Sequence, residues 1–207
     1  GTTLRASEPG DAPTGGGIGF YGSGDAAWLF DYVTILDCDD RSDGDDGDDA
    51  RYVTVVDDFL DGDLDEYVAA DGPKSNWSIV DFSAYDGRRA LQFQGGDGAD
   101  IQSHRGLPAY PRRGDRIRLD FGTLGNWDGY AMFSFAIADP ENFQRRYELE
   151  FEPAESEVRL QYSRAPGDEE TIASASADLR RDGFYEVTVD WAASSDEEQI
   201  LLEKEAV

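Results

Sequence analysis

The chain has 207 residues, 45 acidic side chains and 18 basic ones, for a formal charge of −27 and a sequence pI of about 4.1. That balance excludes nucleic-acid backbone binding, which needs clustered Lys and Arg, and it repels anionic lipid surfaces. Apolar residues make up 39%, enough for a real core, and there is no apolar run long enough for a membrane-spanning helix.

The acid is mainly Asp, 30 against 15 Glu, and only Lys74 and Lys204 are lysines. Asp-rich, Lys-poor surfaces suit saturated salt, where charge keeps the protein soluble and salt screens its self-repulsion. A calcium-loaded secreted protein is a second, compatible explanation. Cys38 is the one cysteine, so no internal disulfide forms, and its aspartate neighbours disfavour a reactive thiolate. Gly1 is either a processed end or a cut inside a longer chain.

In chain order, residues 1–36 end in two expected strands, at 17–21 and 27–36. Residues 37–51 form an Asp-rich linker. Between Asp37 and Asp49 stand eight Asp and Arg41, a net of −7, and no core can form there. Residues 52–207 are read as the body of a β-sandwich. Period-2 alternation marks strands at 116–121, 147–151, 158–162 and 185–191, each with one apolar and one polar face. Residues 131–138 are almost continuously apolar, as in a central strand covered on both faces. Gly, Pro and Asp turns punctuate these runs. Residues 195–206 could be a helix or, at 200–202, a strand. The expected fold is all-β, a sandwich or jelly roll.

Several segments resemble concanavalin A-like, laminin G-like sandwich domains of haloarchaeal surface and secreted proteins. They are Val56-Asp57-Asp58-Phe59-Leu60-Asp61-Gly62-Asp63, Gly87-Arg88-Arg89-Ala90-Leu91, Gly106-Leu107-Pro108-Ala109-Tyr110-Pro111, Asp139-Pro140-Glu141-Asn142-Phe143 and Tyr185 to Trp191. The order of these pieces carries the resemblance. It implies an antiparallel jelly-roll sandwich. The strands that usually close such a domain stand here at the front, in Gly16-Gly17-Ile18-Gly19-Phe20 and Trp28-Leu29-Phe30-Asp31-Tyr32-Val33-Thr34-Ile35. Three explanations remain open: a circular permutation, a fragment of a tandem array, or donation of the N-terminal strands to a neighbour. Donation is head-to-tail and builds filaments. Thirteen extended residues reach about 40 Å, enough for self-completion or donation.

Catalysis is not expected. His104 is the single histidine, and there is no Gly-x-Ser-x-Gly elbow and no phosphate-cradling loop. Glu148 and Glu150 share a strand face and read as a solvated surface, although some glycosidases use that spacing. Calcium is the expected cofactor, because hard cations take several oxygens from carboxylates on turns. The first candidate site is Asp57, Asp58, Asp61 and Asp63, which the resemblance would place beside Asp31. The second is Asp37, Asp39, Asp43, Asp45 and Asp49 of the linker, with two readings open: a metal site or a salt-solvated surface. Glycan contact is expected at Asn126, Trp127, Asp128 and Tyr130, and at Trp77, since sugars stack on aromatics and bond to acids and amides. Two functions follow: an extracellular, calcium-stabilised filament protein whose partners are copies of itself, or a glycan-binding module of a secreted or surface protein.

Overall fold

The computed structural model describes residues 2–6, 9–36, 53–82, 88–125, 128–138, 145–165, 167–180, 182–191 and 198–202. These residues are almost entirely strands. In chain order β1 is Thr2–Ala6, β2 Gly17–Gly24, β3 Ala27–Leu36, β4 Val53–Asp57 and β5 Val68–Asp71. After a single 3-10 turn at Lys74–Asn76 come β6 Trp77–Phe82, β7 Arg88–Phe93, β8 Gly96–Ser103, β9 Arg116–Leu124 and β10 Ala131–Ile137. The remaining strands are β11 Arg146–Glu152, β12 Glu157–Ser163, β13 Glu169–Ser176, β14 Phe184–Asp190 and β15 Glu198–Leu202.

The strands form two antiparallel sheets. One runs β1-β15-β14-β9-β3-β7-β6, with β4 also paired to β3; the other runs β13-β12-β11-β10-β2-β8-β5. Alternation explains the packing. On β9, Ile117, Leu119 and Phe121 are fully buried. The intervening arginines form ion pairs across the outer face, Arg116 with Asp190 at 2.7 Å and Arg118 with Glu186 at 2.5 Å. Opposite charges on facing strands favour this register. The inward faces meet in an aromatic layer. Phe121 of one sheet stacks on Phe151 of the other with centroids 4.0 Å apart, and Phe30 meets Phe20 at 4.9 Å. Two sheets sharing one apolar layer give the chain its β-sandwich character.

β10 lies between β11 and β2, as its apolar run implies. A bulge at Phe135/Ile137 puts Ala136 at φ 57° and keeps it in the core. The 200–202 segment is a strand, β15, which excludes the helical alternative.

The N-terminal strands close on their own body. β2 is hydrogen-bonded between β10 and β8, and β3 between β9 and β7. β1 pairs with β15 so that Thr2 faces Leu202. Both central strands are thus paired on each side within the chain. The linker aspartates Asp37, Asp39, Asp43, Asp45 and Asp49 lie outside the described residues.

Phe20 touches rings from both sheets, among them Phe30, Phe133 and Trp77. Phe20→Ala is expected to lower unfolding free energy by about 3–5 kcal/mol. Urea denaturation measures this, and a loss below about 1 kcal/mol would show that β2 is not part of the core.

Candidate functional site

Strand periodicity assembles a polar site on the outer face of the seven-stranded sheet. On β11, Tyr147, Leu149 and Phe151 join the core. Arg146, Glu148 and Glu150 therefore project from the opposite face. The ladder extends this face across five strands. Glu150 stands opposite Met132, Met132 opposite Tyr21, Tyr21 opposite Asp100, and Asp100 opposite Asp71. A cleft of about 450 Å³ opens over this row, with Tyr130 and Glu169 among its other walls.

One wall is aromatic. Tyr21 and Tyr130 stack with centroids 5.2 Å apart. Tyr130 is tied down through its backbone, its N–H donating to Ser23 Oγ at 3.3 Å and its carbonyl accepting from Ser23 N–H at 3.1 Å. Tyr21 needs a glycine beside it. A Cβ at Gly98 would lie 2.3 Å from the Tyr21 hydroxyl, so only Gly admits the phenol there.

The floor is charged and buried. Glu148 is 2% exposed and Glu150 8%, which corrects their reading as a solvated face. Guanidinium pairing makes that burial possible. Arg146 donates through Nε and Nη2 to Glu148 Oε1, both at 2.7 Å, and Arg159 Nη1 donates to Glu150 Oε1 at 2.8 Å. Removing one partner from such a buried pair typically costs about 3–5 kcal/mol. Burial raises both glutamates above the ordinary carboxylate range, and their arginines pull each partly back.

Asp100 is the least compensated of these acids. It is 6% exposed. Its Oδ2 accepts from Gln102 Nε2 at 3.1 Å and lies 3.6 Å from Arg146 Nη1, beyond hydrogen-bond range. Its Oδ1 has no hydrogen-bond partner among the described residues, nor does Gln102 Oε1. Burial pushes the Asp100 carboxyl up to about 7 against the pull of Arg146.

The residues expected from sequence fall in different places. Tyr130 lines the cleft, Asp128 is exposed nearby, and Asn126 and Trp127 lie outside the described residues. Trp77 is a core residue, which corrects its assignment as a sugar contact. It is 4% exposed, packs on Phe93, and donates its indole N–H to the Ala99 carbonyl at 3.3 Å.

The first turn is built around Asp57. Its Oδ1 accepts the Phe59 N–H at 2.8 Å and its Oδ2 the Tyr67 hydroxyl at 2.7 Å. Asp58, Asp61 and Asp63 each accept a backbone N–H two residues on, in Asx turns. Carboxylate oxygens of Asp61, Asp63 and Glu66 lie within 4.8 Å of one another. Lys74 already donates to the Leu64 and Tyr67 carbonyls of the same loop. Asp31 is a strand residue facing Asp120 of β9, and Asp58 also adds to its electrostatic repulsion. A second acidic group, Glu152, Glu155 and Glu157, surrounds Arg159, which serves as its cation.

Sequence reading missed Asp100, Arg146, Gln102 and Tyr21. An alternating Arg-Glu-Glu series on an otherwise apolar strand was a usable signal for Arg146. Which strands flank β11 was not readable locally. No protein-family model matches the chain, and no curated protein or solved structure matches it closely enough to indicate a relationship.

Burial raises Asp31 and Asp57 from 3.8 to about 6, with Asp120 adding repulsion at Asp31, and it raises Asp100 to about 7. Between the ordinary value and these raised ones the folded chain holds protons that the unfolded chain has released. Stability therefore falls as pH rises through that window. The urea midpoint is expected to increase on going from about pH 7.5 to about pH 4.5. A midpoint that falls over this range would contradict the burial of these carboxyls.

Proposed function

We propose that this chain is a non-catalytic saccharide-binding module, a jelly-roll sandwich of the concanavalin A/laminin G-like type, working outside the cell in high salt. The cleft beside the Tyr21–Tyr130 stack carries this reading. Sugars present C–H faces to aromatic rings and hydroxyls to fixed carboxylates, amides and guanidiniums, and the cleft combines all four groups. Its volume of about 450 Å³ suits one or two sugar rings.

Binding is favoured over hydrolysis because Glu148 and Glu150 are each held by an arginine. A glycosidase acting through this pair would need one of the two free to protonate the leaving group. Filament assembly by strand donation has less support, since β2 and β3 are paired on both sides within the chain.

Tyr130→Ala should weaken retention on an oligosaccharide matrix about tenfold or more, in line with loss of one aromatic face. Affinity electrophoresis with neutral and charged polysaccharides measures it. Unchanged retention would remove the cleft as the site.

Calcium at the first turn is a separate proposal, supported by the converging Asp61, Asp63 and Glu66 oxygens. Chelator should lower Tm, and Asp63→Asn should abolish that difference. Identical melting with calcium and with chelator would exclude a stabilising ion there.

A further inference from the structure

We infer that the cleft selects saccharides bearing a free, protonated amine, with the ammonium seated between Asp100 and Asp71. This rests on the saccharide reading above and narrows its ligand class. The first argument is charge. Asp71, Asp100, Glu148, Glu150 and Glu169 line the cleft against the single guanidinium of Arg146. Arg146 is committed to Glu148, and Arg159 is shared among Glu150, Glu152, Glu155 and Glu157. Among the described residues there is for Asp100 only Arg146 Nη1, 3.6 Å from Oδ2, and Oδ1 is left without a partner. A buried carboxylate with an unfilled acceptor is costly unless a partner supplies charge and hydrogen bonds.

The second argument is geometry. Asp100 Oδ1 is unpartnered while its residue is more than nine-tenths buried, and it lines the cleft. Asp71 faces it across the β5–β8 ladder. An ammonium has three donors and no acceptor, so it suits two facing carboxylates. A neutral hydroxyl brings one donor and no charge. A uronate or sulfate brings a charge of the wrong sign. Tyr21 stands opposite Asp100 on the neighbouring strand, so its ring can add a cation–π contact.

The test is calorimetric titration of the whole chain with three oligomers of equal length: glucosamine with free amines, its N-acetylated form, and galacturonate. Molar-range salt screens general attraction to the −27 surface. The free-amine oligomer is expected to bind at least about tenfold tighter than the N-acetylated one, with galacturonate weakest. In Asp100→Asn that ratio should fall to near one. In Asp71→Asn, an exposed position that does not threaten folding, it should fall by a smaller factor. Equal or tighter binding of the N-acetylated oligomer overturns this inference and leaves the saccharide reading standing. So does an amine preference undiminished in both variants, which would be bulk charge. Calcium binding lost in Asp100→Asn, with no amine preference, would assign the cleft to a metal. Absence of binding by all three oligomers would overturn the saccharide reading itself.

Discussion

The aromatic layer between the two sheets is the contact on which the rest depends. Phe20, Phe30, Phe121, Phe133 and Phe151 come from strands far apart in the chain, and each is buried. β2 and β3 supply the first two, so the N-terminal strands are structural centres of the body. Because β2 is held between β10 and β8, Tyr21 is held between Met132 and Asp100. The residue that anchors the core and the residue that lines the cleft are neighbours on one strand, facing opposite ways. Packing on one face thereby positions chemistry on the other.

The cleft floor shows how a very acidic chain buries acid. Two carboxylates are neutralised by arginines drawn from the same sheet. A third, Asp100, is only partly answered, by an amide and by a guanidinium already engaged elsewhere. Structural ion pairs normally close their own circuit. The acidic first turn is different. Asp57 to Asp63 mostly cap their own backbone, so much of that acid stabilises a turn.

The strands were legible because half-buried strands alternate at period two. Residues 116–121, 147–151 and 158–162 appear as β9, β11 and β12 with modest extensions, and 185–191 as β14, shifted by one residue to Phe184–Asp190. The same alternation misled at Glu148 and Glu150. It separates two faces but does not say whether the polar face meets water or the flanking side chains of other strands. Trp77 misled for the related reason that an aromatic near a turn looks alike whether it is exposed or plugs the core.

By itself the sequence determined the all-β character, the absence of an internal disulfide and the charge that excludes nucleic acid, since these depend on composition and local periodicity. Only the tertiary structure decided that β2 and β3 enter their own sheets, and that Tyr21, Asp100, Arg146 and Glu148 share one cleft. Those residues lie on β2, β8 and β11, and they meet through ladder registers that set Tyr21 opposite both Met132 and Asp100, far from it in the chain. Such registers depend on how the whole apolar layer packs, which no local stretch of sequence encodes.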